Sequence, residues 1–204
     1  KGEAVAAIIG EADAIADFDV ADFPVVWHEL EAVQDVSAAQ NADAPQVHKG
    51  HENNVMCGGL VAHGDVEAGL ADADIVLDGS FETSFVEHAY IEPEAGFAEV
   101  IDGRVHLHVC TQAPVMNQVA LAGVLGLTSD DIRIVPTAVG GGFGSKLDLT
   151  VHPFLTLGAM VTGRAVRMAY SRVESMATST KRHPGRITIK GGVKRDGTLT
   201  ALKF

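Results

Sequence analysis

The sequence predicts a mixed α/β (α+β) fold, and three kinds of signal carry that prediction. Short β-branched runs recur along its 204 residues, at residues 5–9, 25–30, 75–83, 97–101, 105–110 and 132–139. Two Asp-Gly pairs, Asp102-Gly103 and Asp196-Gly197, stand between such runs and read as hairpin turns. Helix-length apolar stretches carry a proline near the start and a glycine at the stop, the usual punctuation of helix ends.

Taken in order, residues 5–9 read as a strand, 12–17 as a short helix and 25–30 as a second strand. Residues 41–59 are polar and rich in Asn, Asp and Gly, which reads as a linker or crossing loop. Asp65 is placed to cap a helix over 66–73. A strand follows over 75–83, then a hairpin of 97–101 and 105–110 around Asp102-Gly103. Pro114 opens a helix that runs to Leu125 and ends at Gly126. The next strand, 132–139, leads into a glycine-rich loop. Residues 150–161 read as a helix that tolerates Pro153 only in its first turn; Gly163 closes it, and 166–170 is a strand. Residues 187–191 and 198–204 pair around Asp196-Gly197.

A hydrophobic content of 47% describes a globular chain, and no apolar run approaches the ~20 residues of a membrane-spanning helix. A net charge of −12 argues against a nucleic-acid partner or an anionic membrane surface, either of which needs a basic face. Cys57 and Cys110 are the only cysteines, too few for an iron–sulfur cluster within the chain. They read as buried thiols in a reducing compartment, and the absence of a signal peptide points to the cytoplasm. A strand-like start without an initiator methionine, and a stop inside a hairpin arm, create the expectation of a segment cut from a longer protein.

The most informative stretch is Val139-Gly140-Gly141-Gly142-Phe143-Gly144-Ser145-Lys146. Glycines at 140, 141, 142 and 144 allow the main chain to lie against a ligand, and successive N–H groups can converge into an anion-favouring nest. Two nucleotide motifs fail on spacing. Ser145 separates Gly144 from Lys146, which breaks a Walker loop, and the dinucleotide fingerprint lacks its third glycine. Two readings stay open: a backbone cradle, or a tight turn that packs Phe143 into the core.

This loop resembles the GGGFGGK of the xanthine oxidase/aldehyde oxidoreductase family, the molybdenum hydroxylases, with Ser145 in place of the last glycine. Further motifs follow the family's order. Glu87-His88-Ala89-Tyr90-Ile91-Glu92-Pro93 resembles E-H-x-Y-x-E-P, and Thr111-Gln112-Ala113-Pro114 resembles S/T-Q-x-P. Gly163-Arg164-Ala165-Val166 is similar to its G-R-P-V and Arg182-His183-Pro184 to its R-H-P. Upstream, Gly64-Asp65-Val66 is similar to the family's G-D-V helix start.

The resemblance implies that residues 1–57 are the end of a small hammerhead-like domain with its linker. Residues 58–204 would then be the first part of a molybdenum-cofactor-binding domain with a mixed sheet and packed helices. It implies a share in hydroxylating an electron-poor carbon with water as oxygen source, on a molybdenum–molybdopterin cofactor. Iron–sulfur and FAD groups would sit on other domains or subunits, and the remainder of the large subunit and a small-molecule substrate would be the other partners. The Phe143 and Gly144 amides would contact the cofactor, with Gly141 and Gly142 allowing its approach. Gln112 would either orient the pterin or cap the helix at Pro114. Purine-oxidising members carry glutamine and glutamate where Val86 and Leu147 stand; both positions are apolar here, which favours an aldehyde or a simple nicotinate-like ring over a purine.

No catalytic residue and no metal ligand is assigned within the chain. His88 and Glu92 read as a structural network, His106 and His108 as a strand face, and Lys181-Arg182-His183 with Arg172 and Arg186 as a basic subunit contact. Ser145 does not meet the G-x-S-x-G pattern of a hydrolase. A non-catalytic small-molecule or cofactor-carrier domain using the same loop is the alternative function.

Overall fold

The computed structural model describes residues 2–204, so Lys1, part of the expected first segment, lies outside the described residues. The helices α1 Ala12–Ala16, α2 Val36–Ala39 and α3 Val66–Ala71 precede strands β1 Ile75–Thr83, β2 Ala95–Ile101 and β3 Arg104–Val109. Then come α4 Pro114–Leu125, β4 Ile132–Pro136, α5 His152–Thr162, β5 Val166–Ala169, α6 Arg172–Thr178, β6 Gly185–Val193 and β7 Leu199–Lys203. The chain divides into two compact units, one holding the residues up to Asp17 with Phe81–Ile187, the other Phe18–Ser80 with Thr188–Phe204.

The first unit is built on a four-stranded sheet in the order β4-β3-β2-β5. β3 runs parallel to β4 and antiparallel to β2, which in turn pairs antiparallel with β5. The register places Ala98 opposite Leu107 and Leu107 beside Ile134. Alternation along β3 sends Val105, Leu107 and Val109 into the core, where they meet Leu121 and Ala122 of α4 and Leu155 and Ala159 of α5. His106 and His108 fall on the other face, and His108 stacks on Phe97 with 4.3 Å between ring centroids. A parallel β3–β4 pair needs a crossover, and α4 supplies it. Asp102 and Gly103 both take positive φ, 50° and 79°, as the two-residue turn between β2 and β3 requires.

In the second unit the Asp65 carboxylate accepts the Ala68 N–H at 3.0 Å and so caps α3. That helix packs on β7, and the sheet order is β1-β6-β7. β6 and β7 are antiparallel, with an irregularity at Gly192/Val193. Their turn is fixed by Thr198 N–H donating to the Asp196 carboxylate at 2.9 Å.

Four expectations change. Residues 5–9 and 25–30 are not strands: neither finds a hydrogen-bonded neighbour strand among the described residues, and Val26, Trp27 and Leu30 are exposed. An isolated extended run has nothing to hold it as a strand. The strand expected over 132–139 ends at Pro136, which has no N–H to continue a ladder. Cys57 is exposed; only Cys110 is buried. Unforeseen is α6, whose start is a capping box. Ser171 Oγ accepts the Glu174 N–H at 3.2 Å, and the Glu174 carboxylate accepts the Ser171 N–H at 2.7 Å.

Candidate functional site

The glycine loop lies in the first unit, between the end of β4 and a short turn over Ser145–Leu147. Gly141 and Gly144 have φ of 98° and 96°, and Phe143 itself has φ 52°, so the chain coils through the left-handed region three times in four residues. Phe143 is 74% exposed. The core-packing reading of this loop is therefore not what the fold shows.

Amide accounting gives the loop its chemistry. Gly140 N–H donates to Glu92 Oε2 at 2.8 Å and Ser145 N–H to the Gly142 carbonyl at 2.9 Å. Gly144 and Lys146 N–H both donate to Gln112 Oε1, at 3.1 and 3.2 Å. Gly141, Gly142 and Phe143 N–H have no acceptor among the described residues. Three consecutive unspent donors around positive-φ positions form the kind of nest that receives an oxyanion or the polar edge of a ligand.

Around the nest the side chains are braced. Lys146, only 3% exposed, reaches Glu92 Oε2 at 2.6 Å and the Glu92 carbonyl at 3.0 Å. Its ammonium also stands 4.6 Å from the centre of the Tyr90 ring. Tyr90 is buried and donates its hydroxyl to the Glu94 carboxylate. Burial, then that carboxylate, pushes the phenol above its ordinary range. Arg172 clamps the same segment through the Tyr90 and Ile91 carbonyls. On the other flank Ser145 Oγ meets the Thr180 carbonyl at 3.1 Å and its hydroxyl at 3.0 Å. Asn117 Nδ2 donates to the Leu147 carbonyl at 2.5 Å.

Beyond Ser145 a cleft of about 490 Å³ opens between Phe85, His88, Gly144, Asp148 and residues 179–183. Lys181 pairs there with Glu87 at 2.5 Å. Burial alone would raise the Glu87 carboxyl; Lys181, the Ala89 N–H and Ser179 together hold it below the usual carboxylate range. The basic stretch is thus largely spent inside the chain, since Arg172 serves the Tyr90 segment and Arg186 pairs with Glu82 at 2.9 Å. Ser145 has its hydroxyl committed to Thr180.

Each residue singled out in the sequence has a definite place. Gln112 does not cap α4; the Thr111 hydroxyl accepts the Ala113 N–H at 3.0 Å, while Gln112 holds the loop and leaves its own amide NH₂ unpartnered among the described residues. Val86 and Leu147 are exposed; Leu147 directly follows the loop in the chain, and Val86 bridges to Arg182. His88 and Glu92 do not form a pair: Glu92 is bonded to the loop, and His88 Nδ1 is buried without a partner among the described residues. Among the described residues no group of three or more His, Cys, Asp or Glu could hold a metal, and no helix is long and apolar enough to cross a membrane. Sequence reasoning left Lys146 as a motif letter. Its pairing with Glu92 was signalled only by the co-occurrence of the two motifs, 54 residues apart.

A family model for the molybdopterin cofactor-binding domain matches residues 47–204. The chain is 33% identical over 201 residues to a probable xanthine dehydrogenase subunit of Bacillus subtilis (strain 168), covering 98% of this chain and 27% of that protein. It is 32% identical to the nicotinate dehydrogenase large molybdopterin subunit of Eubacterium barkeri, covering 99% and 47%. The solved aldehyde oxidoreductase from Desulfovibrio gigas superposes with a TM-score of 0.79 at 31% identity, over 84% of this chain and 19% of that one. The chain spans less than half the length of either curated relative.

Proposed function

The chain belongs to the molybdopterin cofactor-binding domain family of the molybdenum hydroxylases, and we propose that it supplies part of the cofactor cradle in such an enzyme's large subunit. The observation that carries this is the set of unspent N–H groups at Gly141, Gly142 and Phe143. The residues fit the group: an array of backbone donors, no competing side chain at two of its three positions, and an exposed apex at Phe143. When bound, the cofactor supplies the hydroxylation of an electron-poor carbon with oxygen from water.

The chain's own residues bind and orient. Phe143 N–H and the adjacent glycine amides hold an oxygen-rich or pterin edge. Gly144 forms the far wall, and the free NH₂ of Gln112 adds a donor from the side. Val86 and Leu147 present apolar surface toward the substrate, with no partner for a purine's ring nitrogens. That supports an aldehyde or a simple N-heterocycle such as a nicotinate-like ring. No acid or base for the reaction is assigned to this chain; iron–sulfur and flavin domains or subunits complete the electron path. Residues 1–57 then form the end of a hammerhead-like domain and 58–204 the start of the cofactor domain, in a cytoplasmic enzyme.

The test is Gly142→Ala in the intact enzyme. A Cβ there would collide with Gln112 Oε1 and displace the side of the cradle. Molybdenum content measured by mass spectrometry should fall at least fivefold with the circular dichroism spectrum unchanged. Wild-type metal content in the variant would sink the reading, whereas a fully loaded unsubstituted protein that turns over no aldehyde or N-heterocycle would favour the carrier alternative.

A further inference from the structure

We infer that Glu92 is a positioning residue that presets the Gly141–Phe143 donor array by tying together both ends of its loop; the inference rests on the cradle reading above. One carboxylate oxygen, Glu92 Oε2, accepts the N–H of Gly140, where the loop begins, at 2.8 Å. The same oxygen accepts the ammonium of Lys146, where the loop ends, at 2.6 Å. The backbone reinforces the knot: Glu92 N–H donates to the Gly140 carbonyl at 3.2 Å, and Lys146 Nζ to the Glu92 carbonyl at 3.0 Å.

Two features make this a device rather than an incidental surface pair. The Lys146 side chain is 2% exposed, and Glu92 is the only carboxylate in ion-pair reach of it among the described residues. Removing one partner of such a pair strands a charge away from water. The fit at the other end is equally close, because a Cβ on Gly140 would stand 2.6 Å from Glu92 Cβ. With both ends pinned and Gln112 holding the Gly144 and Lys146 amides, the middle three N–H groups cannot turn inward to find partners. They stay without an intramolecular acceptor before a ligand arrives, in a loop whose conformation is already set, so part of the ordering cost of binding is already met. Lys146 thus acts at a distance from the ligand, through Glu92, and not as a phosphate-type anchor.

The experiment uses the intact protein in cofactor-free and cofactor-loaded forms, with Glu92→Gln and, as a second variant should the first fail to fold, Lys146→Met. Hydrogen exchange of the peptide covering residues 139–146 is read in the cofactor-free form, and molybdenum content in the loaded form. The expected result is loop exchange at least tenfold faster, with exchange in the β2–β3 hairpin unchanged, and at least threefold less bound molybdenum. Unchanged loop exchange overturns the tie even if Gly142→Ala still empties the site, which leaves the cradle standing. Faster exchange with undiminished molybdenum overturns the positioning role.

Discussion

Ser145 shows how one side chain can record a departure from a family pattern. Where the resembling motif has glycine, this chain has a 2% exposed serine whose hydroxyl is bonded to Thr180, and Thr180 Oγ1 returns to the Ser145 carbonyl at 3.1 Å. Ser145→Gly removes one hydrogen bond and adds backbone freedom to the unfolded chain. It should therefore cost about 1–2 kcal/mol in a denaturant titration. An unchanged midpoint would mean that Lys181–Glu87 and the Val86–Arg182 bridge hold the 179–183 segment without it. Both residue types are visible in the sequence, but not their meeting. A serine in a glycine run says nothing about which distant residue will accept from it, and Thr180 lies 35 positions away.

At the scale of elements, local chemistry is legible in the sequence and tertiary support is not. α4 begins at Pro114 and stops at a left-handed Gly126, and the β2–β3 hairpin turns on Asp102-Gly103, because these residues restrict the backbone wherever they occur. Residues 5–9 and 25–30 have the composition of strands but no neighbour to pair with, a fact that no local window contains. α6 does carry a local signal, since Ser171-x-x-Glu174 is a capping box, but the basic residues nearby draw attention to charge instead. Ser171→Ala leaves the Glu174 N–H uncapped and should destabilise the protein by about 1 kcal/mol, read as a shift of a few degrees in a thermal melt. The same change should also loosen the Arg172 clamp on the Tyr90 carbonyl, since Arg172 is the first residue of that helix.

At the scale of the whole molecule, stability is coupled to pH through His152. This imidazole is 1% exposed at the start of α5, accepts the Thr150 N–H at Nδ1 and has no partner for Nε2 among the described residues. Burial pushes its pKa down to about 4 from an ordinary 6.5. Above pH 6.5 the folded and unfolded chains both hold it neutral. Between pH 6.5 and 4 the unfolded chain takes up a proton that the folded chain refuses, so stability falls as pH drops through that window. The full loss is at most about 3 kcal/mol. Unfolding free energies measured from pH 7 to pH 4 should show this slope, and His152→Gln should flatten it; an equally steep slope in the variant would assign the effect to other groups.

The shared carboxylate also acts as a ruler. Because Gly140 and Lys146 meet the same Glu92 atom, an inserted or deleted residue between them would pull one end out of reach. Relatives that diversify here are expected to exchange letters, as Ser145 does, and to keep the number of letters constant. Loop grafting between such proteins should accordingly succeed only when the transplanted piece arrives with the same count.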